Sequence, residues 1–324
     1  VTVRIPTLTG DIDPSELGRT LMHEHVIMLG SGGVIREWPA LFDRDAAIAT
    51  SIERMAQLAA SGVDSLVEMT TFDLGRDIEA TAEVARASSV NIIACTGVWL
   101  AAPPMMKRYS ASQIADAFVG DIVDGISGTD LRAGIIKVAT DETVDDLNRL
   151  LLSAAAEAHR RTGTPIGTHS NAPAGSGARQ QDVLEEFGVD LSRVLIGHCS
   201  DTSDLDYLRG LMQRGSYIGI DRFGLDRIPS TGEDLLSTAE RVAVIADLCR
   251  DGFANRIVLS HDANCVHMGI VHRDAVDEAL PNWHHLHIQE EVLPALLDAG
   301  VTQADIDTML VDNPRTFFAQ ATPY

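Results

Sequence analysis

Short, nearly continuous apolar runs recur along the chain at Thr20–Val26, Asp64–Thr71, Asn91–Trp99, Ala133–Thr140, Pro165–Ser170, Arg193–Cys199, Tyr217–Phe223 and Arg256–Asp262. Runs without polar alternation predict strands buried on both faces. Between them the apolar period lengthens to that of a helix: Ile48, Ile52, Met55 and Leu58 share one face, and Gly62 ends that helix. Val144, Leu147, Leu151, Ala154 and Ala158 repeat the pattern, with a capping box expected at Thr143 and Asp146. A small hairpin is expected across Val3–Leu8 with a turn at Gly10–Pro14, and a last helix over Leu286–Ala299. Eight alternating strand–helix units predict an α/β fold, a (β/α)8 TIM barrel with a short N-terminal β-hairpin, formed as a single domain by residues 1–324. The competing architecture, a doubly wound open sheet, lacks a GxGxxG after an early strand. Pro173–Gly177 lacks the GK[ST] ending of a phosphate loop and reads as a mobile βα loop.

Charge and composition narrow the function. The formal charge of −22 disfavours nucleic acid and anionic membranes as partners. No apolar run approaches the roughly 20 residues of a membrane span, and Val1–Pro6 shows no signal-peptide pattern. Cys95, Cys199, Cys249 and Cys265 form no CxxC pair and read as reduced thiols of a cytoplasmic protein. Of 25 basic residues only Lys107 and Lys137 are lysines, and Lys137 lies inside the run AGIIKVA, where burying an ammonium is costly.

In a barrel, chemistry sits at the C-terminal ends of the strands. There the chain places His23 and His25, Lys137, His169, His198 with Asp201 beyond it, Asp221-Arg222, and His261-Asp262. In Thr20–Val26 the two-residue spacing puts His23 and His25 on one face with Leu21, and Met22 and Val26 on the other. Each histidine alone reads equally as a core residue satisfied by backbone carbonyls. Together, at one end of different strands, they suit a transition-metal site. His284, His285 and His287 read as solvated or capping residues, and His159, His267 and His272 as helix-end or loop residues.

The segments HEH at 23–25, GIIKVATDE at 134–142, THSN at 168–171, IGHCSDT at 196–202, GIDRFG at 219–224 and SHD at 260–262 resemble the amidohydrolase superfamily. REWPALF at 36–42 and FDLGRDI at 72–78 add to this, and the closest resemblance is to the phosphotriesterase family and its phosphotriesterase-like lactonases. That resemblance implies two divalent ions, zinc first, with cobalt, manganese or iron also accepted by such donors. His23, His25 and Asp262 would hold the more buried ion, and His169 and His198 the more exposed one. Lys137 would bridge them as N6-carboxylysine, which answers the lysine puzzle because a primary amine forms a carbamate and a guanidinium does not. A lysine snorkelling from a strand end is the plainer reading.

The implied chemistry is attack of a metal-bridging hydroxide on a carbonyl carbon or phosphorus. The resemblance implies that Asp262 would take the proton and that Asp201 would assist that transfer. Arg222, with Cys265 and Trp283, resembles the lactonases, whereas Trp99 and FDLGRD resemble the dedicated phosphotriesterases. Trp99, Arg222, Cys265 and Trp283 are therefore the expected substrate contacts. Lactone opening is the expected activity, on N-acyl homoserine lactones or γ/δ-lactones, with promiscuous phosphotriesterase activity. A dedicated phosphotriesterase acting on organophosphates is the alternative. Val266, Met268, Ile270 and Val271 suggest either an acyl-chain channel or a packed lid. The resemblance also implies a homodimer. A metal-free binding protein would lack the ligand set, and many deaminases lack the bridging lysine.

Overall fold

The computed structural model describes residues 3–229, 231–267, 274–320 and 322–324. Met268, Ile270, Val271 and His272 lie outside the described residues. An antiparallel hairpin, β1 (Ile5–Thr7) and β2 (Gly10–Ile12), opens the chain. Gly10 thus begins a strand instead of the expected turn.

Parallel strands follow at β3 (Thr20–Ile27), β4 (Ser65–Glu68), β5 (Asn91–Gly97), β6 (Ile135–Ala139), β7 (Ile166–His169), β8 (Val194–Ile196), β9 (Tyr217–Ile220), β10 (Ile257–Leu259) and β11 (Asn264–Val266). Each pairs with the next from β3 to β10, and β11 pairs back onto β3, which closes the TIM barrel. β10 and β11 are two halves of the eighth strand. It breaks at Asp262, whose φ of 54° lies in the left-handed region.

The interior is filled from successive strands: Met22, Val67, Ile93, Ile135, Leu195, Tyr217 and Val258 pack together with Leu17, Phe317 and Phe318. On β7 the place is taken by Gly167, where a Cβ would stand 2.8 Å from Met69 Cε. The opposite faces of the strands pack on helices, through Leu21, Val26, Leu66, Ile136 and Ile196.

Met22 therefore faces the interior and Leu21 the helices, the reverse of strict alternation. The pairing of β3 with β4 slips between Leu21 and Glu24, and this bulge resets the parity so that His23 still enters the barrel. The first long helix is Arg44–Ala60, with Ile48, Met55 and Leu58 buried and Asp43 capping Ala46 N. Helix Asp146–Thr162 is boxed by Asp145 and Asn148, not Thr143 and Asp146, because Asp145 stands one residue ahead of the first helical turn. Pro173–Gly177 is tied down, with Asn171 N donating to Ser176 Oγ as helix Ser176–Glu186 begins. The last predicted helix is two pieces, a π turn at Ile288–Val292 and α-helix Leu293–Asp298. Pro294, which has no N–H to donate, sits at the junction.

Candidate metal centre

The bulge on β3, the middle of β6, the end of β7, the turn after β8 and the break in strand eight bring His23, His25, Lys137, His169, His198 and Asp262 to one basin. Asp262 Oδ1 lies 3.2 Å from His25 Nε2 and 3.5 Å from His23 Nε2. Lys137 Nζ stands 3.0 Å from His23 Nε2, and the His169 and His198 rings are 4.4 Å apart between centroids. Lys137 can reach this point because its neighbour on β5 is Gly97, whose φ of 113° and missing Cβ leave room for the Lys137 carbonyl.

Hydrogen-bond partners assign the tautomers. His23 Nδ1 donates to Asp221 Oδ2 at 2.9 Å, so its Nε2 carries a lone pair into the basin. Thr70 donates its hydroxyl proton to Glu68 and accepts from His25 Nδ1 at 2.7 Å, which leaves His25 Nε2 as a second lone pair. Both lone pairs face the Asp262 carboxylate. Donor atoms of His23, His25 and Asp262 all lie within 4.8 Å of one another. These acceptors crowd against one another beside the Lys137 ammonium and the Arg222 guanidinium, and a divalent metal fits this donor set.

Burial drives the titration of the site. It pushes the His23 imidazole down to about 4, helped by the Lys137 charge, and holds His169 and His198 below their ordinary range. Burial thus favours the neutral, ligating form of His23, His169 and His198. Burial brings Lys137 down to about 8. Burial by itself would raise Asp221 and Asp262. Hydrogen bonds from His198 and His23 to Asp221, and the Arg222 guanidinium beside Asp262, overcome it and hold both carboxylates below their ordinary range.

Arg222 extends from the end of β9 between two carboxylates, at 3.1 Å from Asp262 Oδ2 and 2.5 Å from Asp201 Oδ2. Arg222 thus stands between Asp201 and Asp262. A cavity of about 150 Å³ opens over the cluster, walled by Met28, Leu74, Trp99, Leu225, Ile228 and Trp283. Trp99 Nε1 donates to His169 Nδ1 at 3.3 Å, and Trp283 Nε1 to the His261 carbonyl at 3.1 Å.

Some expected residues lie elsewhere. Cys265 is buried with the helix-facing core and does not line the cavity, because β11 turns its side chain outward. His261 also points away: its Nδ1 meets Glu24 and its Nε2 accepts from Ile288 N. His285 and His287 are buried, not solvated; His285 lies 3.3 Å from the His25 carbonyl and His287 2.9 Å from Thr238 Oγ1. Asp221, which orients both His23 and His198, stood out in sequence only as a strand-end acid. The Glu68–Thr70 pair behind His25 carried no sequence signal.

The sequence model of the phosphotriesterase family matches residues 3–318. A "phosphotriesterase homology protein" of Mycobacterium tuberculosis is 43% identical over 330 residues, covering 98% of each chain. An "aryldialkylphosphatase" of Saccharolobus solfataricus is 35% identical over 98% of this chain and 100% of its own. An "N-acetyltaurine hydrolase" of Tetraodon nigroviridis is 28% identical over 96% of this chain and 97% of its own. The solved structure of the phosphotriesterase from M. tuberculosis superposes with a TM-score of 0.92 at 42% identity, covering 99% of this chain and 100% of that one. On this evidence the chain belongs to the phosphotriesterase family and is a metal-dependent hydrolase.

Proposed function

We propose that this hydrolase opens lactones, acts more weakly on phosphotriesters, and is a binuclear enzyme carrying N6-carboxylysine at Lys137. His23, His25 and Asp262 would hold one divalent cation, His169 and His198 the second, and the Lys137 carbamate both. When bound, two such cations activate a water and polarise the substrate oxygen. The Lys137 stem sets the bridging point. Asp221 keeps the imidazoles of His23 and His198 turned inward.

The observation that carries the lactone reading is the Arg222 guanidinium between Asp262 and Asp201. Asp262 accepts the proton of the attacking water. A guanidinium does not give up its own proton, so it cannot pass one on to Asp201. The proton stays on Asp262 for a leaving group that needs it. The alkoxide of an opening lactone is strongly basic, remains tethered to the acyl carbon and collects that proton. An activated aryl phosphotriester releases a stable phenolate and gains less from it. The walls Leu74, Trp99, Leu225, Ile228 and Trp283 suit the hydrocarbon part of either substrate.

A kinetic panel on the metal-reconstituted protein tests this: γ- and δ-lactones, N-acyl homoserine lactones, aryl esters and paraoxon. Lactones should give the highest kcat/KM; paraoxon ahead of every lactone makes the chain a dedicated phosphotriesterase. Exposed Trp38, Leu41, Phe72, Met105 and Tyr109 support a homodimer. Four widely spaced cysteines with no CxxC pair support a cytoplasmic location.

A further inference from the structure

Between the two histidines of the HEH motif stands an acid that the hydrolytic reading does not use. Glu24 is fully buried on β3, yet it does not line the cavity and its carboxylate enters the break between β10 and β11. There Oε1 accepts from His261 N at 2.8 Å and Oε2 from Ala263 N at 3.0 Å. These amides flank Asp262 on both sides. Because Ile288 N donates to His261 Nε2 at 3.0 Å, His261 carries its proton on Nδ1 and donates it to Glu24 Oε1 at 2.7 Å. His285 Nε2 adds a cationic-capable group 3.7 Å from Oε2.

Asp262 itself has a φ of 54°, a conformation that costs a residue with a Cβ and persists only where its surroundings impose it. Its N–H reaches the His23 carbonyl at 3.2 Å, which steadies one side only. The three Glu24 contacts hold both flanking residues at once, beside the bonds of His25 N to the Ala263 carbonyl and of Trp283 Nε1 to the His261 carbonyl. They also tie Asp262 to the strand that bears His23 and His25.

We infer that Glu24 is a positioning residue that clamps the broken eighth strand and so aims Asp262 at the cation held by His23 and His25. This rests on the proposed binuclear site. A glutamine at position 24 keeps the shape but offers one acceptor oxygen and one NH2, so in either orientation a donor faces a donor.

The test compares full-length wild type with Glu24→Gln and His261→Gln, the latter keeping an acceptor for Ile288 N while deleting the Nδ1 donor. Hydrogen–deuterium exchange is read at residues 260–264 of the metal-stripped proteins. Bound zinc per chain, and kcat and KM on one lactone, are then read after reconstitution. Exchange at 261 and 263 should quicken by about 10-fold or more, with bound zinc down by about one per chain. The value of kcat should fall by about 10- to 100-fold, with KM within about 2-fold. Wild-type exchange, zinc content and kcat in the variants overturn the inference, even if the melting temperature falls. If Glu24→Gln fails to fold, His261→Gln decides by the same readouts. Wild type that binds no zinc refutes the binuclear reading instead, and the exchange arm still decides whether Glu24 restrains the break.

Discussion

Replacing Lys137 by methionine should make the metal-stripped protein more stable while abolishing its activity. The ammonium is buried, 1% exposed, and burial lowers its pKa from the ordinary 10.5 to about 8. At about 1.4 kcal/mol per pKa unit, holding the charged form in the fold costs about 3 kcal/mol. Methionine keeps the unbranched stem and forfeits the hydrogen bonds of Nζ to His23 Nε2 and the Thr168 carbonyl, worth about 1 kcal/mol. The net gain at pH 7 is therefore about 2 kcal/mol. Its sign with pH is fixed: below about 8 both folded and unfolded wild type carry the proton, so the cost is present in full. Between 8 and 10.5 the unfolded chain binds more protons than the folded one, so wild type recovers stability as pH rises. From pH 7 to 9.5 the gap should close by about 2 kcal/mol. Urea unfolding of both proteins, stripped of metal and carbon dioxide, measures it as a difference in midpoint at equal m. Equal stability at pH 7, or a gap unchanged at pH 9.5, refutes the reasoning. Adding divalent metal and bicarbonate should reverse the order, since only wild type gains binding energy.

Lys137→Ala should lose hydrolytic activity and regain part of it with a short-chain carboxylate supplied in solution, whereas Lys107→Ala, in the turn Pro104–Arg108, should stay within about 2-fold of wild type by steady-state kinetics. Asp221→Asn leaves one carbonyl oxygen for the two imidazoles of His23 and His198, so metal affinity should drop by roughly 10- to 100-fold; a metal titration indistinguishable from wild type would count against the orienting role. Arg222→His replaces a fixed charge by a group able to carry a proton from Asp262 to Asp201, and should raise the ratio of phosphotriester to lactone kcat/KM. A ratio that falls or stays put removes the argument for lactones.

The barrel was legible because parallel strands covered on both faces must be apolar throughout, and eight such runs alternate with helical periods. The strand-end cluster was legible for a related reason: histidines, an aspartate and a lone lysine at strand ends have no place in a packed core. Register was not. Strict alternation sends Leu21 inward with His23, and only the slip against β4 reverses it. Nor did period and spacing separate His261 from Asp262, which only the family resemblance told apart, because the left-handed turn that sends one into the basin and the other outward involves acceptors supplied by Glu24, from the far end of the chain. Cys265 followed the same geometry outward. The linear chain determined which elements form and which side chains are chemically expensive to bury, since both follow from local period and residue type. Which way each side chain points was decided only when the barrel closed, because bulges, broken strands and shared carboxylates belong to pairs of segments that meet in space.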